Sequence, residues 1–192
     1  MVISNRLSNK ISSDLAMKGI IDTKYEDCYS YCLEFFFDMM LFSISLILIG
    51  FLLHRLVYSI IFILVMMPIK MTAGGAHAGS RLLCDILSYS VYMIVLYLPS
   101  FLYVNPSVSL ILSIIASVVI IYLSPIEVSE RQAVINNQKQ LKTICAVFCM
   151  LSVLSEFVFM YFGCMDYAEI LFFCLIVILI NQLIGLLMIS HT

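Results

Sequence analysis

Six long apolar runs, separated by short polar segments, constrain the fold of this chain more than any other feature. They cover residues 29–53, 56–69, 85–104, 107–124, 143–162 and 168–189. A membrane-crossing helix needs about 20 predominantly apolar residues, and the second run is short and ends beside Pro68. Proline disfavours helix continuation, so we expect this run to cross with help from the polar segment after it, or to form a broken, partly re-entrant element. The sequence predicts an all-α, polytopic integral membrane protein with about six membrane segments.

The composition agrees with that class and excludes others. Hydrophobic residues make up 63% of the chain and charged residues 11%, against about 25% charged residues in ordinary soluble domains. No basic cluster has the size that a nucleic-acid backbone needs, so we expect no nucleic-acid partner. The lipid bilayer is the expected environment.

The first 28 residues form a separate amphipathic segment before the transmembrane domain, residues 29–192. Ile3, Leu7, Ile11 and Leu15 recur at four-residue steps and would form one apolar stripe on a helix. With its basic residues, this helix would lie on an anionic inner leaflet. A plain cytoplasmic extension fits the sequence equally well.

The placement of lysine and arginine predicts the orientation. With the N-terminus inside, residues 1–28, a polar island at 70–84 and a loop at 125–142 lie in the cytoplasm and carry nine of the ten basic residues. Arg55, in a tight turn, is the exception. The sequence therefore predicts a multi-pass protein of the cell membrane whose polar island faces the cytoplasm.

The polar island contains three of the seven glycines together with His77 and Cys84. A thiol becomes a good nucleophile when a nearby imidazole takes its proton. On an unbroken helix these two residues would stand about 10.5 Å apart along the axis, beyond hydrogen-bond reach. The glycines allow a break, so we expect His77 on a loop folded back over a helix that begins near Cys84. The N-terminal dipole of that helix would then act on the thiolate.

The run 74–78 (GGAHA), followed by Cys84, resembles the accessory gene regulator B (AgrB) family of Gram-positive bacteria, membrane-embedded cysteine endopeptidases of peptide quorum sensing. Chain length, basic N-terminus and multi-span layout are similar too. The resemblance implies that Cys84 is the nucleophile and His77 the general base. The chain departs from the family pattern at Lys70, where arginine is common, and at residues 122–125 (YLSP), where the family usually has Tyr-Ala-Pro before a lysine-rich run.

The resemblance also implies a substrate, an AgrD-type precursor peptide with an amphipathic leader, a signal segment and an acidic tail. Cys84 would cleave the tail through a thioester, and a Cys or Ser of the peptide would capture the acyl group to form a macrocycle. The resemblance is compatible with a homodimer, which the sequence does not show. No cofactor and no metal are expected, because the histidines are scattered and no HExxH motif is present.

Other residues are candidates for orienting His77 or contacting substrate. They are Asp38, Gly75, Lys70, Arg81, Lys139 and Lys142. Asp38 lies deep in the first run, where ionisable groups tend to be functional. The lysines and arginines either attract the acidic tail of the substrate or serve orientation alone, and both roles can hold.

Several other polar residues are expected to have structural roles and no role in chemistry. Asn181 and Gln182 are expected to join helices by hydrogen bonds, and the cysteine pairs 28/32 and 145/149 to be packing residues. Glu156, in the fifth run, has no role assigned by the sequence. A membrane transporter or exporter of a small peptide remains the alternative function, because six spans with intramembrane carboxylates suit one.

Overall fold

The computed structural model describes residues 2–76, 81–126 and 138–190, and these residues form seven α-helices, a short 3-10 helix and no β-strand. The α-helices are α1 (Val2–Met17), α2 (Glu26–Leu52), α3 (Leu56–Ala73), α4 (Arg81–Phe101), α5 (Pro106–Leu123), α6 (Gln138–Tyr161) and α7 (Met165–Ser190). Within the described residues, α2 to α7 are long and apolar enough to cross a membrane. The predicted all-α fold with six membrane segments is confirmed.

The chain divides into two compact units, residues 1–56 and 57–192. In the first unit α1 packs against α2, with Ser8 and Ser12 fully buried while Leu7 stays 44% exposed. Ile11 and Leu15 of the predicted stripe are half-buried beside these serines, so the stripe coincides only in part with the packed face. Small side chains let two helices approach closely, which leaves the larger Leu7 on the outer surface of α1.

Helix α3 continues through Pro68 to Ala73, so it is not broken at the proline, and its last turn includes the first residues of the polar island, as the first of the two alternatives expected. Its 18 residues span about 27 Å, close to the ~30 Å hydrocarbon thickness of a bilayer. The loss of one backbone donor at proline is tolerated where neighbouring elements pack against the helix. Val65 and Ile69, on either side of Pro68, are both buried.

In the second unit, α5, α6 and α7 pack against one another and α4 packs against α7. Half of the α7 span is buried, more than in any other described span. A buried 2.7 Å hydrogen bond between Ser59 of α3 and Tyr92 of α4 joins these two helices. Helix α7 is therefore the central support of this unit.

The seven cysteines are all free thiols. Cys145 and Cys149 are buried, which confirms that they are packing residues. Cys28 and Cys32 are exposed on α2, so the described residues do not bury that pair.

Candidate active site

Cys84 is the fourth residue of α4 and is half-buried. It lies at four-residue steps from Ser88 and the fully buried Tyr92, so it belongs to the packed face of the helix. Its neighbour Asp85 is exposed. Helix α4 begins at Arg81, slightly earlier than the sequence suggested, which places Cys84 in the first helical turn. Backbone N–H groups without a partner in the helix concentrate in this turn.

His77 lies outside the described residues, but the backbone that leads to it is described. Residues 74–76 leave the end of α3 and lie against α7, where the Ala76 N–H donates to the Asn181 carbonyl at 3.2 Å. On the way, Gly74 forms an isolated parallel bridge with Ile126, and the Ile126 N–H donates to the Ala73 carbonyl at 3.0 Å. We call residues 74–76 the glycine strap.

Two glycines make the strap possible. Gly74 has φ +74° and Gly75 has φ +135°, backbone conformations that other residues rarely adopt. A Cβ atom on Gly74 would overlap the carbonyl oxygen of Ile126, and one on Gly75 would overlap the side-chain oxygen of Asn181. Gly75, a candidate from the sequence, is therefore needed for the path of the backbone.

Gly185 of α7 is the residue that sequence reasoning missed. A Cβ atom there would lie 2.7 Å from both the Ala76 nitrogen and the Gly75 carbonyl carbon, so the bare α7 backbone forms the surface on which the strap lies. Asn181, four residues earlier, is on the same face of α7. The sequence signal that could have drawn attention to Gly185 is a glycine four residues after an asparagine in an otherwise apolar helix.

Gln182 of α7 forms hydrogen bonds to both α3 and α5. Its side chain is fully buried, and its Nε2 donates to the Ala73 carbonyl at 3.2 Å and the Ile120 carbonyl at 3.4 Å. The side chain therefore connects α7 to the ends of α3 and α5, which confirms the expected helix-joining role. Ser124, just after α5, adds a 3.2 Å bond to the Thr72 carbonyl.

We expect Gln182→Ala to lower the free energy of unfolding by about 1–3 kcal/mol, because buried carbonyls lose their donor. Chemical unfolding of the purified protein in a mild detergent measures this change. Gln140→Ala is the matched control, since Gln140 is exposed near the start of α6. Equal stability of the two variants would show that the Gln182 bonds contribute nothing.

The basic candidates gather where α3 and α5 end and α4 and α6 begin, an end that we call the basic end. Lys70 lies in the last turn of α3. Lys142 donates to the Tyr122 carbonyl at 3.4 Å, with its Nζ 5.9 Å from the Tyr122 ring centroid. Lys139 is exposed in the first turn of α6. The side chain of Arg81 lies outside the described part of the chain.

A family model described as accessory gene regulator B matches residues 4–188, nearly the whole chain. The chain belongs to the AgrB family. Membership implies a role in the processing of agr quorum-sensing peptides, an AgrD-like peptide substrate and a membrane setting. None of the curated proteins and none of the solved structures compared with the chain matches it.

Asp38 belongs to α2 in the first unit, and His77 lies outside the described residues, so their contact stays a prediction. Among the residues that the structure describes, no three His, Cys, Asp or Glu side chains converge as metal ligands.

Proposed function

We propose that this AgrB protein is a membrane-embedded cysteine endopeptidase that removes the tail of an AgrD-like precursor and closes the remaining peptide into a ring. One observation carries the proposal. Helix α7 holds the glycine strap at Asn181 and Gly185 and also packs against α4. The backbone that precedes His77 and the helix that carries Cys84 therefore share one support.

The first step is acyl transfer to the enzyme. The Cys84 sulfur attacks the carbonyl carbon at the junction between signal and tail, and His77 accepts the thiol proton. The C–N bond then breaks, and the imidazolium returns the proton to the amine of the departing tail. Partial positive charge at the start of α4 favours negative charge on sulfur during this step. The product is a thioester between the peptide and Cys84.

The second step closes the ring. A thiol or hydroxyl of the bound peptide attacks the thioester carbonyl and forms the new bond, while its proton passes through His77 to the departing Cys84 sulfur. The acyl group passes directly from the Cys84 sulfur to the sulfur or oxygen of the peptide, and no oxidant, cofactor or metal takes part. A site with little water favours ring closure over hydrolysis.

The test is the mass of the product made by the purified enzyme in lipid bilayers. We expect a product that lacks the tail and one further water molecule, as a macrocycle does. A product that retains that water is linear and hydrolysed. A predominance of linear product would contradict the cyclising step while leaving the cleavage step intact.

The basic end would lie at the cytoplasmic side, where Lys139 and Lys142 attract the acidic tail. We expect Lys139→Glu to slow tail removal roughly three- to tenfold without changing stability, because Lys139 is exposed. Lys142→Glu should lower both processing and stability, since it loses the bond to Tyr122 and places a negative charge beside the C-terminal end of α5.

Rates for precursors with an acidic and a neutralised tail measure this effect. Lys18→Glu, an exposed lysine of the N-terminal segment, is the control for reversal of charge alone. If Lys139→Glu processes the acidic-tailed precursor at the wild-type rate, the lysine serves orientation only.

A further inference from the structure

A second polar site lies between α5 and α6, away from the basic end. Its centre is Glu156, whose side chain is fully buried. The Ser109 hydroxyl donates to Oε1 of Glu156 at 3.2 Å, whereas Oε2 has no hydrogen-bond partner among the described residues. Glu156 lies five residues before the end of α6 at Tyr161, and the mechanism proposed above does not use it.

The serines of α5 turn towards this carboxylate. Ser109 and Ser113 are one helical turn apart and both buried, and Ser113 lies beside the Glu156 carboxylate. Its hydroxyl is outside hydrogen-bond geometry to any described residue. Ser113 differs in this from its neighbour Ser109, which also donates to the Pro106 carbonyl at 3.0 Å, and from Ser90 and Ser152, which donate to the carbonyl four residues earlier. The Ser113 oxygen is therefore available to bind a ligand.

A carboxyl group in this position has to be neutralised, either by a proton or by a cation. Burying an ionised group in an apolar environment is costly unless it is paired or binds a metal. Among the described residues, the polar side chains at Glu156 are those of Ser109 and Ser113, and none of them is positively charged. A proton on Oε2 would be donated to the Ser113 oxygen. The Ser109 hydroxyl that donates to Oε1 favours the ionised form instead, and carboxylate and hydroxyl oxygens together are ligands of hard cations. One carboxylate balances a single positive charge.

We propose that Glu156, Ser109 and Ser113 bind a monovalent alkali cation between α5 and α6. Oε2 of Glu156 and the Ser113 hydroxyl oxygen are the principal ligands, with Ser109 adjacent and water completing the shell. The bound ion neutralises the buried carboxylate and joins the two helices. This site is independent of the proposed peptidase activity.

Thermal unfolding of the full chain in lipid nanodiscs tests the site, with sodium chloride exchanged for choline chloride at constant ionic strength. Ligand that binds only the folded state raises stability with its concentration, so we expect a saturable increase of the Tm with Na⁺. Glu156→Gln should abolish the increase, and Ser113→Ala should weaken the apparent Na⁺ affinity roughly tenfold. Glu169→Gln is the control, because Glu169 is also a buried carboxyl of these spans and should leave the response unchanged.

Two outcomes would overturn the site. One is a wild-type Tm that is the same in Na⁺ and choline, with greater stability only at low pH, which would make Glu156 a protonated hydrogen-bonding group. The other is a Na⁺ response that persists in Glu156→Gln. If that variant fails to fold, isotopic Na⁺ binding to wild type and Ser113→Ala decides the question, and equal binding would contradict the proposal.

Discussion

Cys84→Ala is expected to stop removal of the tail from a co-expressed AgrD-like precursor, lowering the rate by roughly 10³-fold or more. The variant loses the sulfur that forms the acyl intermediate, so no other group can accept the peptide. His77→Ala should produce a similar loss, because residues that act as a unit have non-additive effects. Intact-mass measurement of the precursor, normalised to enzyme in the membrane, records both.

Cys164→Ala is the matched control for this experiment. Cys164 is a half-buried free thiol like Cys84, but it lies between α6 and α7 at the end away from the basic residues. The Cys164→Ala variant should remove the tail at the wild-type rate. Tail removal that survives Cys84→Ala at normal membrane levels would break the cysteine-protease assignment and favour a peptide transporter, for which Cys84 is dispensable.

Gly185→Ala is expected to lower tail removal about 100-fold, because small displacements of a reacting group have effects of this size. The added Cβ atom would lie 2.7 Å from backbone atoms of Gly75 and Ala76, so the glycine strap must move away from α7. His77 follows Ala76 directly and moves with it. The rate of tail removal and the rate at which iodoacetamide alkylates Cys84 at neutral pH should fall together.

The alkylation rate separates misplacement of His77 from general damage to the fold. Ile184→Ala is the control, since Ile184 neighbours Gly185 on α7 but is 47% exposed. We expect Ile184→Ala to retain both rates. Wild-type alkylation in Gly185→Ala, with normal stability, would show that α7 does not position the imidazole.

The membrane fold followed from the sequence because its signal is local. Each span is a contiguous apolar run, and only helices satisfy their own backbone hydrogen bonds in lipid. The ends of the spans were less certain. Pro68 left a broken helix as one alternative, but α3 continues to Ala73, because packing on both sides of the proline outweighs one lost hydrogen bond. The packed face of α1 likewise includes the buried Ser8 and Ser12, which the apolar stripe did not predict.

The sequence by itself determined the number of spans, the candidate nucleophile Cys84 and the family to which the motif at residues 74–84 belongs. Only the tertiary structure showed that Gly185 and Asn181 support the glycine strap. These residues lie about 110 positions beyond it in the sequence, and a glycine four residues after an asparagine in an apolar helix does not by itself indicate which distant segment packs on it. Residue type thus identified the chemistry, whereas long-range packing decided where the strap that leads to it lies.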